Sequence, residues 1–147
     1  METYKKKIEI RWADLDPNFH LRHSVYYDFG ASARIDYLQQ NGITAQFMHE
    51  RVFGPVILRE ECVFKKEIRP NDEISIDLVL VKAREDFSRW SIRHHIYKNG
   101  HTISAVLTID GAWLDTSKRK LVVPPEEVTK TFASMPRNEQ FAWLDKM

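Results

Sequence analysis

The sequence predicts an α+β domain in which one antiparallel β-sheet wraps around one long central α-helix. Three observations carry this. A single run of helical periodicity, residues 24–41, stands near the start of the chain, and strand alternation dominates after residue 54. Asn99-Gly100, between two alternating runs, is the strongest short hairpin signal and makes those neighbours antiparallel. The lengths also match, since a helix of about 18 residues spans about 27 Å and a strand of about 8 residues spans about 26 Å.

Tyr4 to Trp12 alternates, with Ile8, Ile10 and Trp12 on one side and Lys7, Glu9 and Arg11 on the other, so it reads as a half-buried strand whose Lys5-Lys6-Lys7 forms a solvated edge. Ala13 to Arg22 carries Asp14, Asp16, Pro17 and Asn18 and reads as a polar loop. Ser24 is the N-cap candidate of the helix, with Asp28 in its first turn and Gly42, after Asn41, as its stop. Val25, Phe29, Ala33 and Tyr37 form the apolar stripe, widened by Tyr26, Ile35 and Leu38. Gly30 costs about 1 kcal/mol against Ala inside a helix, and close approach of another backbone is the expected compensation, so the helix reads as buried.

Thr44 to Arg51 reads as one or two helical turns. Pro55 to Ile68 is a long extended stretch closed by Arg69-Pro70-Asn71-Asp72. One strand follows with Ile74, Ile76, Leu78 and Leu80 inward, then another with Trp90, Ile92, His94 and Ile96, and the return strand carries Ile103, Ala105, Leu107, Ile109 and Trp113. Lys120 to Val123 is a further short strand, and Pro124-Pro125-Glu126-Glu127 opens a helix to about Ser134. Residues 1–147 thus read as one domain, with a core of about 4–123 and a helical extension of about 124–147 whose Phe141, Trp143 and Leu144 dock weakly. One helix cannot cover every sheet edge, so a homodimer or homotetramer is expected.

Composition narrows the function class. The 147 residues are 43% apolar, an ordinary globular value, and 22 basic against 21 acidic residues leave a net charge of +1. No bulk field recruits nucleic acid or an anionic membrane. No apolar run approaches the roughly 18 residues of a membrane span, and the start, Met1-Glu2-Thr3-Tyr4-Lys5, has no apolar segment of a signal peptide, so a cytoplasmic setting is expected. The single cysteine, Cys62, excludes an intramolecular disulfide or a CxxC site and reads as a small buried hydrophobe. His94 and His95 point to opposite sides of a strand, so no metal site is expected. Neither a Gly-x-Ser-x-Gly elbow nor a phosphate-binding Gly-rich loop is present.

The densest polar cluster is Arg11-Trp12-Ala13-Asp14-Leu15-Asp16-Pro17-Asn18-Phe19-His20-Leu21-Arg22-His23, directly before the helix. By composition it reads first as a capped surface turn. Its placement adds a second reading: a helix start offers unpaired N–H groups and a positive dipole end, suited to a carbonyl oxygen gaining charge, and a nearby carboxylate can attack that carbonyl or deprotonate water.

Asp14-x-Asp16, followed by Tyr26 and Ala33-Arg34, resembles the hotdog-fold thioesterases of the 4-hydroxybenzoyl-CoA thioesterase type. Asp16-x-Asn18-x-His20 also resembles the Asp-x-Asn-x-His motif of the acyl-ACP thioesterases. The resemblance implies a hotdog fold and hydrolysis of an acyl-CoA or acyl-carrier-protein thioester without a metal or redox cofactor. It puts the essential carboxylate, nucleophile or general base, at Asp16, and the polarising backbone N–H at His23. The acyl-ACP pattern adds Asn18 and His20 as its partners and Glu67 as a further candidate, although the Cys that follows this Glu in that pattern is Ile68 here. The CoA-type enzymes usually carry Gly three residues after the catalytic Asp, where this chain has Phe19. Asp14 is expected to support the loop, Tyr26 to pack in the core or support the site, and Arg34 to form an ion pair on the helix face. For CoA phosphates the strand-end candidates are Lys66, Arg84, Arg89 and Lys98. Two rival readings share the fold: a non-catalytic acyl-binding or assembly module, and a hotdog dehydratase.

Overall fold

A computed structural model describes residues 3–144; the opening Met1-Glu2 and the last three residues of the expected extension lie outside the described residues. In chain order the elements are β1 (Lys5–Ile8), a 3-10 turn (Trp12–Asp14), α1 (Val25–Gln40), α2 (Ala45–Glu50), β2 (Phe53–Phe64), β3 (Ile74–Asp77), β4 (Val79–Ala83), β5 (Arg89–Lys98), β6 (Thr102–Asp115), β7 (Lys120–Leu121), α3 (Glu126–Ala133) and β8 (Arg137–Trp143). The strands make one sheet. β1 pairs with β3, β3 and β4 both pair with β5, β5 with β6, and β6 with β2, all antiparallel. Among the described residues β2 therefore has a partner on one side only and forms a free edge twelve residues long.

The inward positions of the alternating runs fill the concave face. Ile76, Ile92, Ile96, Leu107 and Ile109 are buried against Val25, Ala33 and Leu38 of α1. Burying each Leu or Ile in full contributes about 1.5–3 kcal/mol. One end of the curl is plugged by α3, whose Phe132 packs on Trp90, Trp113 and Phe87 at ring-centroid distances of 5.8–5.9 Å. Asn99 and Gly100, at φ +52° and +101°, make the β5–β6 turn that their dipeptide predicts, and Gly42, at φ +82°, follows the end of α1.

Five expectations are corrected. The first strand stops at Ile8, not Trp12, because the Arg11 N–H and guanidinium both bond the Asp14 carboxylate and close a turn there; Trp12 is left 80% exposed. The expected strand over residues 74–80 is two strands broken at Leu78, where the Asp77 side chain takes the His95 N–H at 2.6 Å in place of a ladder bond. The C-terminal extension is helical only to Ala133, and β8 then runs parallel to β4, covering an edge that β1 leaves bare. There Arg137 lies over Phe141 and Trp143. Cys62 is half-buried rather than buried, its thiol pushed up to about 11 by burial and then by Glu60. Around Gly30 it is side chains rather than a backbone that approach, since a Cβ there would meet Arg34 Nη1, His94 and Leu107 at 3.2–3.3 Å. One face of α1, including Ala31 and Ser32, stays exposed.

Candidate active site

Leu15 and Leu21 bridge each other across the polar loop, and Asp16 sits just inside that bridge. Its Oδ1 accepts the backbone N–H groups of Asn18 (2.9 Å) and His20 (3.1 Å), and the Asp16 N–H donates to the His20 carbonyl at 2.8 Å. One carboxylate oxygen thus organises the turn. Oδ2 accepts no hydrogen bond among the described residues. Phe19 takes φ +59°, the left-handed conformation that favours glycine, and its ring lies 6.2 Å from that of Trp12. The turn geometry of a glycine is therefore kept without the glycine.

Asp14 is fully buried and held by Arg11 through its N–H (2.9 Å) and Nη2 (2.7 Å), which keeps the carboxyl below the usual carboxylate range. It braces the loop and does not line the pocket. The Leu21 N–H donates to the Ile68 carbonyl at 2.8 Å, tying the loop to the segment after β2. This brings Glu67 to His20, with Nε2 to Oε2 at 3.0 Å. Glu67 also accepts two hydrogen bonds from Arg69, at 2.7 and 3.1 Å, which hold its carboxyl below the ordinary range.

Ser24 occupies the N-cap position but does not cap. Its backbone is already helical (φ −70°, ψ −26°), and its hydroxyl accepts from Arg22 Nη1 at 2.6 Å. The N–H groups of His23 and Ser24 make no hydrogen bond among the described residues. An uncapped helix start is a set of oriented donors at the positive end of the dipole.

These groups surround a pocket of about 300 Å³ lined by Asp16, His20, His23, Tyr26, Phe64 and Glu67, with Leu21, Lys65 and Lys66. Tyr26 is almost fully buried, its ring edge-on to Phe64 at 4.9 Å, and burial pushes its phenol up to about 12, so it stays protonated and able to donate. Of the sequence candidates, Asp16, His20, His23, Tyr26 and Glu67 come together. Asn18 enters only through its backbone, because its side chain is exposed and outside the lining. The four phosphate candidates separate: Lys66 and Lys98 lie toward the pocket, whereas Arg89 pairs with Ala112, at the level of Val56 and the opposite end of β2, and Arg84 stands with it, its N–H on the Arg89 carbonyl at 3.0 Å. Lys98 is already committed to the Glu67 carbonyl at 2.8 Å. Lys65 and Phe64 were missed by the sequence reading, and only their nearness to Glu67 could have suggested them.

Arg34 forms an ion pair from α1, as expected, and is nearly buried. Its Nη1 meets His94 Nε2 at 3.1 Å, and its Nη2 lies 3.8 Å from Glu60. Burial pulls the guanidinium down to about 10, which leaves it charged at neutral pH. No group of three His, Cys, Asp or Glu side chains among the described residues is arranged to hold a metal ion, and no described helix is long and apolar enough to cross a membrane.

A single helix wrapped by a curled antiparallel sheet, with a polar pocket at the helix start, defines a hotdog fold. Residues 10–132 match the model of the thioesterase-like superfamily, and the chain belongs to that family. Solved structures agree over nearly the whole chain. A hypothetical protein of Staphylococcus aureus in complex with CoA superposes with a TM-score of 0.83 at 13% identity, covering 95% of this chain and 91% of that one. A 1,4-dihydroxy-2-naphthoyl-CoA thioesterase from Synechocystis gives 0.81 at 13% identity, covering 90% and 97%. A thioesterase from Thermus thermophilus, complexed with coenzyme A and Zn, gives 0.73 at 24% identity, covering 88% and 91%. No curated protein matches the chain.

Proposed function

We propose that this protein is a cytosolic hydrolase of acyl thioesters, with CoA as the thiol it releases. The observation that carries the reading is the half-committed carboxylate of Asp16, which shares its pocket with the unpartnered N–H of His23. A thioester carbonyl directed at the start of α1 would place its oxygen on those donors, which strengthen their hold as negative charge develops. Asp16 Oδ2 then either adds to the carbonyl or takes the proton of an attacking water. The C–S bond breaks, the thiol leaves, and one water is consumed for each acid released. His20, oriented by Glu67, is placed to pass a proton between the pocket and the departing sulfur, and the protonated Tyr26 can donate a further hydrogen bond. Asp14 and Asn18 hold the loop in shape. Lys65 and Lys66 at the rim favour a phosphate-bearing thiol, and the CoA-bound relatives support CoA.

Assembly follows from β2. Its Ile57, Leu58, Val63 and Phe64 are exposed along a free edge, the situation that favours pairing with a second copy. A homodimer through antiparallel β2 strands accounts for them.

The test is thiol release across a panel of acyl-CoAs and acyl-carrier proteins, with light scattering on the same sample. Asp16→Asn keeps the shape of the side chain and removes its charge, so turnover should fall by about 10²–10⁴-fold while the fold survives. Wild-type turnover by folded Asp16→Asn would return the loop to a structural turn. A mass of 17.4 kDa at micromolar concentration would remove the dimer.

A further inference from the structure

Between β2 and β3, Glu67 and Arg69 flank Ile68, which is fully buried, and the two charged side chains meet on the outer side of the segment. The Arg69 guanidinium closes on one oxygen alone: Nε and Nη2 both donate to Glu67 Oε1, at 3.1 and 2.7 Å. Oε2 is left for His20, whose Nε2 stands 3.0 Å away. With Arg69 holding its carboxyl below the ordinary range, Glu67 is a carboxylate and offers only lone pairs. At that distance a nitrogen without its hydrogen would be repelled, so in the neutral ring Nε2 carries the proton. Nδ1, which has no partner among the described residues, keeps the lone pair that can take a proton in the pocket.

Arg69 is itself anchored from behind. Its N–H donates to Asp72 Oδ2 at 2.9 Å and its carbonyl accepts the Asp72 N–H at 3.0 Å, which closes a turn with Pro70 in the second position. Asp72 Oδ1 accepts from Asn99 Nδ2 at 3.0 Å, and Lys98 Nζ donates to the Glu67 carbonyl at 2.8 Å. The end of β5 and its turn thus hold both ends of the Glu67–Arg69 segment. An exposed ion pair adds little to stability, so this support does more for orientation than for the fold.

We propose that Arg69 is a positioning residue: by holding Glu67 on one oxygen, it fixes the ring of His20 with Nδ1 as the proton-accepting nitrogen. The inference rests on the hydrolase reading and adds to it a residue outside the pocket, since Arg69 is not among the lining residues. It acts on the rate only through Glu67 and His20.

The experiment measures kcat and KM for the acyl-CoA that the wild type hydrolyses fastest, in Arg69→Met, Arg69→Lys, His20→Ala and the double variant Arg69→Met/His20→Ala. The same proteins are followed by ¹⁵N NMR of the histidine rings at alkaline pH, with the His20 signals assigned by their loss in His20→Ala. Arg69→Met should lower kcat by about tenfold with KM within about twofold, since a misplaced group costs up to about 10²-fold and an absent one about 10²–10⁴-fold. Arg69→Lys, which reaches Oε1 as a point charge, should recover kcat to within about threefold of wild type. On top of His20→Ala, Arg69→Met should change kcat by less than about twofold, because two residues acting through one group are not additive. The His20 ring should be the Nε2–H tautomer alone in the wild type and a mixture in Arg69→Met, where Glu67 is free to turn to solvent. An unchanged kcat, a change in KM alone, or the same loss repeated on top of His20→Ala overturns the inference and leaves the hydrolase reading standing. A ring tautomer indifferent to Arg69→Met overturns it whether or not any thioester is hydrolysed. The expected tautomer change in a protein that releases no thiol would keep the positioning of His20 and remove the hydrolase. Arg69→Gln decides in the same way if Arg69→Met does not fold.

Discussion

Lowering the pH from 7 to 4.5 should cost this fold about 2 kcal/mol through one side chain, His94 of β5. The imidazole is fully buried, its Nδ1 2.8 Å from the Asp77 carbonyl and its Nε2 3.1 Å from Arg34. Neutral His94 suits both neighbours, since Nδ1–H donates to the carbonyl and Nε2 accepts from the guanidinium. Burial first, and the Arg34 charge second, pull its pKa down from 6.5 to about 4, against a smaller opposing pull from Asp77. Between those two values the unfolded chain takes up a proton that the folded one refuses. Stability from this residue is therefore untouched above about pH 6.5, falls as pH drops toward 4, and levels off below. At about 1.4 kcal/mol per pH unit the ceiling is about 3 kcal/mol, of which about 2 is reached at pH 4.5. Urea unfolding at pH 7, 5.5 and 4.5, for wild type and His94→Gln, measures it. Glutamine can accept from Arg34 and donate to the carbonyl but cannot titrate, so its curve should be flatter by about 2 kcal/mol across that span. Parallel curves would show that His94 is protonated, or free to become so, in the folded state.

Two further predictions concern packing and strain. A Cβ on Gly111 would lie 2.3 Å from Trp90 Cζ2 and Cη2, so Gly111→Ala should destabilise by about 1–3 kcal/mol; at Gly30 the nearest atoms, on the Arg34, His94 and Leu107 side chains, stand at 3.2–3.3 Å, so a small shift suffices and about 1 kcal/mol of helix propensity is gained, and Gly30→Ala should stay within about 1 kcal/mol of wild type. Thermal melts of the pair check the contrast, and equal effects would refute it. Phe19→Val, β-branched at φ +59°, should lose about 1–2 kcal/mol in urea, whereas Phe19→Gly should not fall below wild type by more than the ring contact with Trp12, about 0.5–1.5 kcal/mol.

The fold was legible wherever one periodicity ruled a segment. α1, β5, β6 and their Asn99-Gly100 turn follow from spacing alone, because burying one face of each fixes its register. Legibility failed where a side chain replaced a backbone bond. Arg11 and Asp14 close a turn that alternation alone would extend, and Asp77 breaks a strand by taking an N–H from β5. β8 was hidden for a different reason: Asn138, Glu139 and Gln140 have no strand pattern, and the strand exists because β4 offers an edge. In the site, Asp16, His20 and His23 stand on one short loop and could be read together. The contact of His20 with Glu67 joins residues 47 apart in sequence and depended on the Leu21–Ile68 bond. The ion pair of Arg34 was legible from its place on the helix, but its burial was not, and the signal for that was Gly30, four residues earlier, which leaves room for the guanidinium.

Several departures from local rules fall on the polar loop and on α1. They are a serine at the N-cap position that does not cap, a phenylalanine in a glycine's conformation, a carboxylate with one oxygen unassigned and an arginine with idle donors. Each costs stability where it stands, of the order of 1 kcal/mol for a missing cap and about 1–2 kcal/mol for the left-handed residue. The core shows what the same chain does when nothing opposes good packing: Ile, Leu and Trp at near-zero exposure on both sides of β5 and β6. The economical explanation is that a ligand supplies the missing partners beside the loop: a carbonyl oxygen for the helix start and an electrophile for Asp16. Both can belong to one acyl thioester.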